Sequence, residues 1–303
     1  MVGSAFLFPG QGAQYVGMGK ALWDGSPQAR AIFEKGNQIL GYDLSKLCFE
    51  GPLEKLTRTE YNQPAIFVTS VAALSLLSDI PKNPYTPQAA CGLSLGEYTA
   101  LVASSVLTFE EALRAVHERG RLMEEASKAT PGTLIVIFGL SLDQVKELCQ
   151  KTGTEVANLN CPGQIVVSGR LSDVEAITIL AKEKGAKKTF PLEVNGPFHS
   201  RFMKEAGVGL EKVLQTLSFK KPMIPFISNV SARFEEDPLQ IRKNLVRQVS
   251  ETVLWEASIR CLIGQGIRQF VEIGPGKVLT GLLRKIDSEM VAFHLESPQE
   301  VPC

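Results

Sequence analysis

Apolar residues in this chain fall in two kinds of run. Ala5–Phe8, Ala89–Leu93, Ile224–Ser228 and Gln269–Ile273 are short and strand-like, with the continuity of strands buried on both faces. The stretches between them carry the 3.6-residue period of amphipathic helices. This alternation predicts an α/β fold, a parallel sheet flanked by helices. The longest apolar run, Ala65–Leu77, is broken by Thr69, Ser70 and Ser75. It falls short of the ~18 residues that cross a bilayer. There is no internal repeat, and the polar, proline-containing tail after Leu295 is expected to fray.

The middle of the chain has a different rhythm. Thr133–Phe138 has strand character, and Ser141 opens a helix to about Lys151. Glu155–Asn160 and Gln164–Ser168 are two strands joined at Cys161-Pro162-Gly163. A helix over Leu171–Lys184 and a strand over Lys188–Val194 complete the order βαββαβ, that of a ferredoxin-like split unit. Pro131-Gly132 and Gly196-Pro197 bracket it. The expected organisation is therefore a ferredoxin-like insert over 131–196 inside a large α/β domain formed by 1–130 and 197–303. Such an insert makes one wall of a cleft.

Charge narrows the field of partners. The 303 residues include 32 Lys+Arg and 32 Asp+Glu. That balance excludes a general attraction to nucleic acid or to an anionic membrane. The six cysteines (Cys48, Cys91, Cys149, Cys161, Cys261, Cys303) show no CxxC spacing. Neither a zinc site nor a disulfide framework is expected; reduced thiols of an intracellular protein are. The N-terminus has no basic leader character.

The strongest chemical signal is Gly92-Leu93-Ser94-Leu95-Gly96, between the run Ala89-Ala90-Cys91 and a helical pattern from Glu97. GxSxG at a strand-to-helix turn is a nucleophile elbow: the glycines permit the sharp turn, and the helix N-terminus favours negative charge beside the serine. An ordinary glycine-flanked turn is the plain alternative. A serine needs a base, and only three histidines exist: His117, His199 and His294. His117 lies among Arg114, Glu118 and Arg121 and is expected at the surface; His294 is near the tail. His199, in the loop Asn195-Gly-Pro-Phe-His199-Ser200 that leaves the insert, is the candidate base.

In the helix Phe109–Ala126 the apolar stripe is Phe109, Ala112, Leu113, Val116, Met123 and Ala126, and Arg119 falls inside it. A buried guanidinium needs an anionic partner. That partner is either a distant acidic residue or a ligand carboxylate held bidentately. Gln11, in Phe8-Pro9-Gly10-Gln11-Gly12-Ala13-Gln14, lies between glycines that let its N–H approach a ligand. The segment is not a GxGxxG motif, because Tyr15 stands at the sixth position. Gly274-Pro275-Gly276-Lys277 is not a phosphate loop, because Val271 stands where the first glycine belongs and Val278 follows the lysine.

Taken together, residues 8–14, 92–98, 119–123 (Arg-Gly-Arg-Leu-Met), 157–164, 196–200, Gln248 and 272–279 resemble the malonyl-CoA:acyl-carrier-protein transacylase family, over essentially the whole chain to about 295. The resemblance implies a hydrolase-like α/β core with a ferredoxin-like insert. It implies Ser94 as acylated nucleophile, His199 as base, Arg119 as clamp for the malonyl carboxylate, and the N–H groups of Gln11 and Leu95 as oxyanion hole. Gln248 matches the residue whose main-chain carbonyl orients the histidine, and Asn160 a position near the pocket. One departure is Leu93, where the family often has histidine; it bears on acyl selectivity. Phe198-His199 is the form seen in malonyl-selective relatives.

The implied reaction moves malonyl from coenzyme A to the phosphopantetheine thiol of acyl carrier protein through a malonyl-serine, without cofactor or metal. A monomer in the bacterial cytoplasm, or in a plastid stroma after removal of a transit peptide, is the expected setting. Lys184, Lys187, Lys188, Arg201 and Lys204 flank the insert and the histidine loop, a basic rim suited to an acidic carrier protein. A serine esterase or thioesterase, and a non-catalytic carrier-binding module, are the rival readings.

Overall fold

The computed structural model describes residues 3–78 and 85–300; Met1, Val2 and Cys303 lie outside them. Its strands are β1 (Gly3–Phe8), β2 (Thr86–Gly92), β3 (Gly132–Phe138), β4 (Glu155–Cys161), β5 (Gln164–Arg170), β6 (Lys188–Pro191), β7 (Phe226–Ser228), β8 (Arg233–Glu235), β9 (Gln269–Ile273) and β10 (Val291–Leu295). Six form a sheet in the order β10-β9-β1-β2-β7-β8, parallel except for the β7–β8 pair. The other four form an antiparallel sheet in the order β4-β5-β3-β6.

Alternation along β1 shows why the large sheet is buried on both sides. Phe6 and Phe8 enter one core with Ala90, Val271 and Ile273. Ala5 and Leu7 enter the opposite one with Ala89, Cys91 and Phe270. Strands with no polar face need helices on both. The run Ala65–Leu77 supplies the most enclosed of these, a helix over Thr59–Ser75 buried on almost every side. The small sheet is also covered on both faces, by unlike things. Ile135, Ile137, Ile165 and Val167 pack on its two helices, Leu142–Thr152 and Leu171–Glu183. Leu134, Val136 and Val166 face the main body.

Several expectations need correction. Proline trims two strands: β7 begins after Pro225 rather than at Ile224, and β6 ends at Pro191 rather than Val194. Each proline can accept from its neighbouring strand but has no N–H to give it, which weakens the ladder at that end. The tail does not fray before Glu300. Glu296 N–H donates to the Glu300 carboxylate at 2.8 Å, His294 Nδ1 lies 3.1 Å from the same group, and Gly276 N–H donates to the Glu296 carboxylate at 3.2 Å. His294 sits inside β10, an unpredicted parallel edge strand. His117 is half-buried beside Tyr42 rather than on the open surface.

Two close approaches fix the end of β2 against the end of β1. A Cβ at Gly92 would stand 1.9 Å from the Gly96 carbonyl carbon, and one at Gly96 would stand 2.1 Å from the Phe8 carbonyl oxygen. Leu93 N–H donates to that same oxygen at 3.0 Å. The turn carrying Ser94 is thereby held to the first strand. Gly96→Ala forces backbone apart, and overpacking of this kind costs about 1–3 kcal/mol or more. The expected outcome is a melting temperature lower by roughly 2–5 °C in a thermal scan, with loss of activity; an unchanged melting temperature contradicts the contact.

Candidate active site

Ser94 stands at the turn between β2 and the helix Gly96–Ala103, with φ of 50°. A non-glycine residue in the left-handed region stores strain of about 1–3 kcal/mol. Asn229 holds it there: its Oδ1 accepts the Ser94 N–H at 2.7 Å while its Nδ2 donates to the Gly92 carbonyl at 2.8 Å. His199 is likewise left-handed, with φ of 57°, and its N–H donates to the Val249 carbonyl at 3.2 Å. Both members of the pair are thus pinned by residues distant in the chain, one by a side-chain amide and the other by a main-chain carbonyl.

Their side chains meet. His199 Nε2 lies 2.9 Å from Ser94 Oγ, and Nδ1 lies 2.7 Å from the main-chain oxygen of Gln248. A carbonyl can only accept, so Nδ1 carries the proton and Nε2 presents a lone pair to the serine hydroxyl. Gln248 is the last residue of the helix Pro238–Gln248. Terminal carbonyls of a helix lack intrahelical donors, and the negative end of the helix dipole favours a positive imidazole. Burial pushes the His199 imidazole down to about 4, reinforced by the Arg119 guanidinium and opposed by the Gln248 carbonyl.

Arg119 is 1% exposed on the inward stripe of the helix Phe109–Ala129. Its Nη1 donates to Gln63 Oε1 at 2.6 Å; its Nη2 donates to Gln248 Oε1 and to Ser94 Oγ, each at 3.0 Å. The guanidinium lies 5.8 Å from the Tyr98 ring centroid, and its Nε has no partner among the described residues. No ion pair reaches Arg119 among the described residues; neutral acceptors and an aromatic face hold it. Burial pushes its pKa down.

These groups open onto a cavity of about 250 Å³ lined by Gln11, Leu93, Ser94, Leu95, Arg119 and His199 on the main body, and by Leu134, Val136, Asn158, Asn160 and Val166 on the small sheet. No intramolecular acceptor takes the N–H of Gln11 or Leu95 among the described residues. The Oδ1 of Asn160 is buried without a partner there. Leu93 places a branched apolar side chain on the cavity wall. Every candidate from the sequence thus lines this cavity or, like Gln248, touches residues that do. His117 and His294 do not line it. Gln63, Asn229 and Glu97 were not anticipated. Glu97 directly follows the GxSxG turn, but nothing in its helical surroundings marks it as fully enclosed.

The basic rim is weaker than its lysine count suggests. Arg201 is tied to Glu155 at 2.5 Å and Lys184 to Glu147 at 3.2 Å. Lys187, Lys188 and Lys204 make no ion pair among the described residues. There, no helix is long and apolar enough to cross a membrane, and no group of acidic, His or Cys side chains could hold a metal.

A strained serine, an oriented imidazole and an enclosed cation share one cavity. A family model described as an acyl transferase domain matches residues 5–291, which sets the class. The chain is 43% identical over 302 residues to a malonyl CoA-acyl carrier protein transacylase of Bacillus subtilis, covering 98% of this chain and 94% of that one. The solved transacylase of that name from Coxiella burnetii superposes with a TM-score of 0.96 at 34% identity, over 99% of this chain and 96% of that one. A malonyl-transacylase solved in complex with a type II polyketide acyl-carrier protein gives 0.95 at 36% identity, over 99% and 98%. This chain belongs to the malonyl CoA-acyl carrier protein transacylase family.

With burial holding His199 at about 4, its imidazole is already neutral throughout the neutral range. Acylation measured as kcat/KM should be flat through neutrality and fall only as pH drops toward about 4. An acid limb near the ordinary histidine value of about 6.5 contradicts this account of the imidazole.

Proposed function

We infer that this chain transfers a malonyl group from coenzyme A to the phosphopantetheine thiol of acyl carrier protein, through a malonyl ester on Ser94. The observation that carries this reading is the Arg119 Nη2, 3.0 Å from Ser94 Oγ and without a carboxylate of its own. Malonyl is a short acyl group ending in a carboxylate, so its carbonyl reaches the serine while its far end reaches the guanidinium. A bidentate charge-assisted pair in an enclosed site is strong. An acetyl group leaves the cation unpaired and is discriminated against.

The chemistry runs in two half-reactions. Ser94 Oγ gives its proton to His199 Nε2 and attacks the thioester carbon. The tetrahedral oxyanion is received by the N–H groups of Gln11 and Leu95; a donor of this kind is worth ~10²–10³ in rate. The carbon–sulfur bond breaks, and coenzyme A leaves with the proton from His199. The carrier thiol then gives its proton to His199 and attacks the malonyl ester; the ester carbon–oxygen bond breaks, and Ser94 Oγ leaves with the proton from His199. Gln248 orients the imidazole through its carbonyl in place of an acidic residue. Asn160 lines the wall beside the incoming acyl thioester, and no bound cofactor takes part in either step.

We read residues 131–196 as a ferredoxin-like insert in a hydrolase-like domain made of 1–130 and 197–303. The strand order β4-β5-β3-β6, antiparallel throughout, supports the first part, and the serine on a strand–turn–helix corner supports the second.

Intact mass after exposure to malonyl-CoA should show one malonyl adduct, absent in Ser94→Ala. A chain that stays unmodified is no acyl carrier. With the acyl-enzyme in hand, transfer to a carrier thiol should far outrun hydrolysis; the opposite order identifies a thioesterase. Arg119→Ala should lower malonyl kcat/KM by about 10²-fold, the worth of a buried charged pair, while acetyl transfer holds or rises. A malonyl preference that survives this substitution removes Arg119 from its role.

A further inference from the structure

Glu97 is fully buried, one turn of chain beyond the nucleophile, and the reaction above makes no use of it. Its two oxygens have different duties. Oε1 accepts the main-chain N–H of Asn229 at 2.5 Å, and Oε2 accepts from Gln248 Nε2. Asn229 is the residue whose side chain holds the backbone of Ser94 and Gly92. Gln248 donates its second amide hydrogen to the Ser94 carbonyl at 2.9 Å and turns its Oε1 to Arg119 at 3.0 Å. A chain of contacts thus runs from carboxyl to amide to guanidinium: Glu97, Gln248, Arg119.

An amide in such a chain has a direction. Both hydrogens of Gln248 Nε2 point to acceptors, so its oxygen is left for the cation. An acceptor at position 97 is what keeps the amide this way round. We propose that Glu97 is a positioning residue for the transfer, orienting the Gln248 side chain so that Arg119 is held as a clamp for an acyl group that ends in a carboxylate. The proposal rests on the malonyl-transfer reading and extends it to a residue that touches neither substrate nor reacting atoms.

The charge of Glu97 bears on the same clamp. Burial pushes its carboxyl up to about 8, against the pull of the Asn229 N–H, Arg119 and the Gln248 amide. The other titratable groups facing it are Arg119 from the Phe109–Ala129 helix, Cys91 from β2 and Tyr98 from its own helix. Burial holds Cys91 well above its ordinary value and pushes Tyr98 upward, so neither changes charge near neutrality. When Glu97 ionises, the guanidinium is partly compensated from within, and a second carboxylate gains less from it. By the same linkage, a bound malonyl carboxylate disfavours ionised Glu97.

The test compares malonyl-CoA with acetyl-CoA, using the ratio of their kcat/KM values for acylation of Ser94. Acetyl uses the serine and the imidazole but not the clamp, so general damage to the fold lowers both and leaves the ratio in place. Glu97→Gln leaves one oxygen for two donors: its NH₂ is set against the Asn229 N–H or against that of Gln248, or the Gln248 amide turns so that its NH₂ faces Arg119. The ratio at neutral pH should fall about tenfold, the scale of coupling within one buried network, mainly through a higher KM for malonyl. Thermal melting establishes that the variant is folded. The wild-type chain tests the same link without substitution: its ratio should decline as pH rises through about 8, and that decline should vanish in Glu97→Gln. A flat wild-type ratio, or a folded Glu97→Gln with the wild-type ratio, overturns the proposal. Arg119→Ala run alongside separates the layers. If it lowers the ratio and Glu97→Gln does not, only Glu97 loses its role; if it leaves the ratio unchanged, the clamp reading itself fails.

Discussion

A guanidinium withdrawn from water and given no carboxylate is the constraint around which this molecule is arranged. Arg119 is enclosed by the helix that carries it, and an unpaired charge in such a place is costly. The protein meets that cost with dipoles: amide oxygens of Gln63 and Gln248, the hydroxyl of Ser94 and the face of Tyr98. Each holds the cation in place without cancelling its charge. A carboxylate inside the same shell would bind more strongly and would leave nothing for a ligand to neutralise. The nearest internal acid, Glu97, acts at one remove, through an amide.

The second constraint is backbone strain shared by two residues from remote parts of the chain. Ser94 and His199 both adopt positive φ, and each is fastened by groups outside its own loop. Strain of this sort persists only where surrounding structure over-determines it. Here the over-determination comes from the close contact between the ends of β1 and β2, from Asn229 after β7, and from the C-terminal carbonyl of the helix that ends at Gln248. The large sheet is a frame that brings the ends of non-adjacent chain segments to one point. The small sheet closes the space above them, giving its apolar face of Leu134, Val136 and Val166 to the cavity wall.

Much of this was legible in the chain. GxSxG between a buried strand and a helix located Ser94 at a strand-to-helix turn, and the 3.6-residue period located Arg119 on the inward stripe. The βαββαβ order of the middle segment was visible because its strands and helices are short, regular and separated by Gly and Pro. Less legible were elements whose identity depends on neighbours. Strand β10, Val-Ala-Phe-His-Leu, is short and half exposed, and it is a strand because β9 offers it an open edge. The tail to Glu300 is ordered by carboxylate contacts across 20 or more residues of chain, as between Gly276 and Glu296. Gln63 and Asn229 are ordinary amides in sequence, and no local pattern says which one will meet a guanidinium or a nucleophile's backbone.

The sequence by itself determined which residues are able to do chemistry and on what kind of element each sits, because turn geometry, periodicity and the scarcity of histidine are local facts. The tertiary structure alone decided how they are connected: that a helix-end carbonyl orients His199, that neutral amides hold Arg119, and that Glu97 is sealed behind both. Such relations depend on distances between segments up to 154 residues apart in the chain, as from Ser94 to Gln248. They depend also on the loss of solvent that gives one amide's direction its consequence. Neither separation in space nor exclusion of water is written in any local stretch of sequence.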